Sequence, residues 1–106
     1  MRAKLYKMTN GEHQAVAIAD KWVGDISEMD KIKKLGEEFT EFIEALLTKN
    51  DEDILDEAGD MTFLILHILS NRIPAEKINL TNLVVNAADK MEMRNYKRAM
   101  AKTRNG

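Results

Sequence analysis

The residues best equipped for chemistry are the carboxylates between positions 37 and 60, where Glu37, Glu38, Glu41, Glu44, Asp51, Glu52, Asp53, Asp56, Glu57 and Asp60 face Lys49 alone. Each residue of an α-helix advances about 100°, so Glu38 and Glu41, three apart, share one surface, as do Glu37 and Glu41, four apart. Glu57 and Asp60 repeat the three-residue step. Most helical acids are simply solvated. Taken together, however, like charges at such positions repel by roughly 0.2–0.5 kcal/mol per pair, and an uncompensated buried carboxylate is far more costly. A cation resolves the conflict. Two antiparallel helices, each with an acid pair at the border of the core, can surround one small ion, and hard oxygen ligands select Mg²⁺ or Mn²⁺. Residues 51–57 are not a calcium-binding loop, because the glycine and the twelfth-position glutamate are absent. The lack of cysteine removes zinc-thiolate sites and thiol nucleophiles.

These acids need helices to hold them, and the pattern predicts an all-α chain. No segment shows sustained alternation with β-branched enrichment. A first helix is predicted over about 10–23, stopped by Gly24. Ser27 and Asp30 open a second, which carries Ile32, Leu35, Phe39, Phe42, Ile43 and Leu46 on one stripe. With Phe39 and its apolar partners inward, Glu38 falls roughly 100° to one side, at the edge of the core. Asn50 and Asp51 cap a third helix bearing Ile54, Ala58, Met61, Ile65, Ile68 and Leu69. There Glu57 lies only about 60° from Ile54, where a leucine would be expected. The second half of this helix is apolar nearly all round, which suits a central helix or a subunit interface. Pro74 punctuates, and a last helix covers 81–98, with the start between 74 and 80 left open. The expected architecture is one domain over residues 1–106, a four-helix bundle with poorly ordered ends at 1–8 and 101–106.

Composition sets the outer bounds. The 106 residues are 44% hydrophobic and 32% charged, with one proline and five glycines, enough for one core and not for two. A core of this size gains stability by burying further surface against a second copy, so a homo-oligomer is expected. The apolar run at 61–69 is interrupted by Thr62 and His67 and is too short for a membrane span, and the absence of cysteine and of a signal-like segment points to the cytoplasm. A net charge of -2 argues against a dedicated nucleic-acid binder. The charge is unevenly spread all the same, because residues 86–106 carry Lys90, Arg94, Lys97, Arg98, Lys102 and Arg104 against only Asp89 and Glu92. Asn86, Lys90 and Arg94 follow one another at four-residue steps, so one helix face offers an amide, an ammonium and a guanidinium to phosphate oxygens.

The run Glu37-Glu38-Phe39-Thr40-Glu41 followed by Glu57-Ala58-Gly59-Asp60 resembles the EExxE and ExxD motif pair of the MazG-type, all-α nucleoside triphosphate pyrophosphohydrolases. The likeness extends from about residue 13 to residue 94. It implies helical units that dimerise or tetramerise and hydrolyse nucleoside triphosphates, here dNTPs or modified nucleotides, between the α and β phosphates. By the same resemblance Glu38, Glu41, Glu57 and Asp60 hold Mg²⁺, and Glu37 serves a second metal or orients the attacking water. Glu37, Glu38 and Glu41 are thus the candidate catalytic acids. Lys34, Asn86, Lys90 and Arg94 are the expected phosphate or sugar contacts, and His13 and Trp22 on the first helix resemble the nucleobase contacts of dCTP pyrophosphatase-like members. Two departures stand out: the connection between the motifs is short, and Leu64 stands one turn after Asp60, where some relatives carry an aromatic residue. Two other readings stay open. Phosphoribosyl-ATP pyrophosphohydrolase shares the scaffold and the acids, and the His13–Trp22 pair argues against it. A non-catalytic helical interaction module would leave the acids solvated and use residues 61–69 only for assembly.

Overall fold

Helices α1 (Asn10–Val23), α2 (Glu28–Thr48), α3 (Asp51–Ser70) and α4 (Leu80–Asn105), with one 3-10 turn at Ala75–Lys77, make up nearly all of the chain. The computed structural model describes residues 7–105, with side chains to residue 102. There is no strand among them, and the architecture is the all-α, MazG-like bundle expected. Local signals set the boundaries. The Thr9 hydroxyl accepts from the Glu12 N–H at 3.1 Å while the Glu12 carboxylate accepts from the Thr9 N–H at 3.0 Å, a reciprocal cap. Ser27 and Asn50 cap α2 and α3 through the N–H groups of Asp30 and Asp53. At the end of α1 the Gly24 N–H donates to the Asp20 carbonyl, and a Cβ at Gly24 would collide with that same carbonyl.

Glu12 also ties α1 to α4, because its second oxygen accepts from the Leu80 N–H at 2.9 Å. Burial pushes its carboxyl upward, but the backbone bonds from Thr9 and Leu80 outweigh that and hold it below the usual range. Thr9→Ala removes half of the cap and should cost about 1 kcal/mol. A denaturant melt would read this as a lower midpoint with an unchanged slope.

The apolar centre is small. Met8, Leu66 and Ile78 are buried together, with Ala15, Val16, Leu69, Ala75 and Leu80 packed around them. Met8 is enclosed, and its N–H donates to the Ala75 carbonyl at 2.9 Å. Residues 1–6 and 106 lie outside the described residues. α4 continues to Asn105.

α2 and α3 form an antiparallel hairpin, but α2 turns a different face inward from the one its apolar pattern suggests. Lys31, Glu38 and Ala45 are buried and Leu35 and Phe42 half-buried, whereas Ile32, Phe39, Ile43 and Leu46 are exposed. The apolar arc of α2 is wider than α3 alone can cover, so α3 takes the edge that includes Glu38. α1 packs on α3, and α4 holds the bundle by its first turn, where Leu80 joins the core and Asn82 is buried. Beyond that turn Leu83, Val84, Met91, Met93 and Tyr96 remain exposed. The radius of gyration is 17.5 Å, against about 13 Å for a compact chain of this length. No helix among the described residues is long and apolar enough to cross a membrane.

Candidate metal and phosphate site

Glu38, Glu41 and Glu57 each bring a carboxylate oxygen to within 4.8 Å of the others. The α2–α3 hairpin does this by setting Glu38 and Glu41 of α2 opposite Glu57 of α3. Glu38 is 8% exposed, near the middle of the face that α2 turns to α3 rather than at its edge. Its Oε2 and the Oε2 of Glu57 are both buried with no hydrogen-bond partner. A buried carboxylate oxygen without a partner is an expensive feature, and positive charge beside the two would offset that cost. The fit to a small cation is close. Oxygens on opposite sides of an octahedral Mg²⁺ stand about 4.2 Å apart, so slight side-chain motion would close the trio on one ion. Asp60 is exposed and lies outside the trio.

The electrostatics agree with the geometry. Burial, then the charges of Glu41, Asp60, Glu38 and Asp56, push the Glu57 carboxyl above its usual range. Asp60 is likewise raised by burial and by Asp56 and Glu38, with Lys34 acting against them. Lys34 is the one cation within 4 Å of the cluster among the described residues, with its ammonium 3.3 Å from Glu38 and 3.6 Å from Glu37. The Glu38 bond and charge, then the Glu37 charge, raise the Lys34 ammonium above its ordinary value. Glu37 is two-thirds exposed and its carboxylate faces water.

The other predicted contacts are not gathered here. Asn86 is half-buried and Lys90 and Arg94 are exposed, and α4 has no extended packing on α2 or α3. The cause is its anchorage: only the first turn is held, and the helix departs from the bundle beyond it. Nor does α1 bring His13 and Trp22 together. α1 is regular from residue 10 to 23, and nine residues rotate a helix by about half a turn, so the two side chains point to opposite sides. Trp22 is 71% exposed, with the Lys21 ammonium 5.0 Å from the centre of its ring.

Two ties were not foreseen from sequence. The Arg72 guanidinium donates to both oxygens of Glu28, joining the end of α3 to the start of α2. His67, 1% exposed, binds Asp20 of α1 through Nε2 at 2.8 Å. A histidine in an otherwise apolar half-helix needs a polar partner, and that was the available signal.

Comparison with known proteins adds the decisive observation. Residues 12–90 match the phosphoribosyl-ATP pyrophosphohydrolase family, a span that contains most of α1, the whole acid hairpin and the first turns of α4. The chain belongs to that family. No curated protein and no solved structure matches it. Membership makes the protein a relative of enzymes that hydrolyse phosphoanhydrides of nucleotides, and it puts the Glu38–Glu41–Glu57 cluster inside the matched region.

Proposed function

We propose that the protein is a Mg²⁺-dependent pyrophosphohydrolase that cleaves a nucleotide 5′-triphosphate between its α and β phosphates, giving the monophosphate and pyrophosphate. The observation that carries this reading is the trio Glu38, Glu41 and Glu57 with its two buried, unpartnered oxygens. These three would hold the ion, with Asp60 as a fourth ligand that turns inward, and Mn²⁺ would suit the same oxygens. The ion would neutralise phosphate charge and lower the pKa of a bound water. Glu37, open to solvent and paired with the same Lys34 as Glu38, would accept the proton of the attacking water. Lys34 can swing its ammonium from the acids to a phosphate oxygen without leaving their neighbourhood.

The family match favours phosphoribosyl-ATP as the substrate. The chief objection to it, a shared base site formed by His13 and Trp22, loses force because the two residues face apart on α1. Nucleoside triphosphates and dNTPs are the second reading, supported by the motif resemblance. We assign Asn86, Lys90 and Arg94 to the phosphates through a homodimer or homotetramer, in which a second copy covers Ile32, Phe39, Ile43 and Leu46 and supports α4. The exposure of these apolar groups favours such an assembly. Pyrophosphate release from phosphoribosyl-ATP and from a panel of NTPs and dNTPs, with Mg²⁺ and with EDTA, is the test. Release that EDTA abolishes is expected; no release from any of them would end the proposal.

A further inference from the structure

We propose that Asp20 recognises the nucleoside part of the substrate: its carboxylate, aimed by the buried His67, accepts a hydrogen bond from a base amino group or a ribose hydroxyl. The placement of the phosphates on the acid trio, and so this assignment, rests on the pyrophosphohydrolase reading.

The His67–Asp20 pair is lopsided. The imidazole is 1% exposed and the carboxylate 56% exposed, so a fully enclosed ring spends its one hydrogen bond on a surface group. Nδ1 of the ring is buried without a partner. The tautomer with hydrogen on Nε2 therefore donates to Asp20 Oδ1 and leaves only a lone pair, not an N–H, unsatisfied inside. An exposed aspartate left to itself samples several rotamers. Here one oxygen is fixed, which sets the direction of the other and removes most of the ordering cost before any ligand arrives.

Its location gives this preorganised acceptor a use. His67 follows Asp60 by seven residues, which on a regular helix is about 20° of rotation and about 10 Å of rise. Asp20, bonded to His67, is thus held on the side of α3 that carries Asp60, two turns along. A nucleotide with its phosphates at the trio and its sugar and base lying along α3 towards α1 meets Asp20. A carboxylate only accepts, so it selects ligands that present an N–H or O–H. Gly24 keeps the α1 terminus in place, because a side chain there would push on the Asp20 carbonyl.

Asp20→Asn separates recognition from support. The amide keeps an oxygen for His67, so α1 stays docked, but it turns an NH₂ donor outward where an acceptor stood. Binding of ATP is measured by calorimetry with Ca²⁺, which takes the same oxygen ligands, in parallel with a melt. The expected result is a Kd for ATP raised roughly 10- to 100-fold, as suits loss of a charge-assisted bond, with an unchanged melting temperature. Purine riboside triphosphate, 2′-deoxy-ATP and 3′-deoxy-ATP identify the donor. Wild type should lose affinity for the analogue that lacks it, and Asp20→Asn should add nothing further to that loss. Wild-type affinity for ATP in Asp20→Asn overturns the assignment. Failure of the wild-type protein to bind phosphoribosyl-ATP as well as all of these nucleotides overturns the pyrophosphohydrolase reading itself, a distinguishable result.

Discussion

Glu41→Gln should lower the rate of pyrophosphate release by at least about 10²–10³-fold and leave the fold intact. The substitution keeps the volume and polarity of the side chain and removes one negative charge from the trio. Two buried oxygens, those of Glu38 and Glu57, then face an amide, and the remaining charge no longer suffices to strip water from a small divalent ion. Stability moves the other way, because after burial the Glu41 charge does most to raise the Glu57 carboxyl. Without metal the variant should therefore melt at or above the wild-type temperature. Glu44→Gln, one turn further along α2 and outside the cluster, is the control and should keep wild-type turnover. Turnover of Glu41→Gln within tenfold of wild type at saturating Mg²⁺ would refute the ligand assignment. Asp60→Asn asks whether the fourth acid joins the ion when it binds: a loss as large as that of Glu41→Gln means that it does.

The parts of this protein that obey local rules are legible in its sequence. Thr9, Ser27 and Asn50 cap helices because their oxygens reach an N–H three residues on, and that is visible in a string of letters. The acid spacing was equally plain, since three- and four-residue steps fix a shared face. What sequence could not fix is which part of a wide apolar arc meets which neighbour. α2 offers Ile32, Phe39, Ile43 and Leu46 as readily as Leu35, Phe42 and Ala45, and only the docking of α3 decides that Glu38 goes inside. Buried Lys31 escaped for the same reason. The His67–Asp20 tie joins residues 47 apart, and no local spacing encodes such a contact. Conversely, a helix face such as Asn86, Lys90 and Arg94 is read correctly as a face without revealing what lies opposite it. Helical periodicity gives direction around one axis and leaves the placement of that axis to tertiary packing.

Metal-free protein should gain stability as the pH falls through the raised range of Glu57 and Asp60, and Mg²⁺ should reverse that trend. Glu57 and Asp60 have folded-state values raised above the unfolded references of 4.5 and 3.8. Between the unfolded and folded values the native chain binds more protons than the unfolded one, so stability rises as pH decreases through that window. Below it the gain stops, and Glu12 and Glu28, both held low by their hydrogen bonds, take over with the opposite sign as they become protonated. A stability maximum between the two ranges follows. Mg²⁺ requires the carboxylates ionised, so its stabilisation is greatest at high pH, about 2.7 kcal/mol at a hundred times its dissociation constant, and fades as Glu57 protonates. Melting curves from pH 4.5 to 8, with EDTA and with Mg²⁺, should cross. Parallel curves would mean that the acids repel one another in water and hold no ion. Glu57→Leu carries the same logic further: it should raise the metal-free melting temperature at pH 8, flatten its rise towards pH 5, and abolish the response to Mg²⁺.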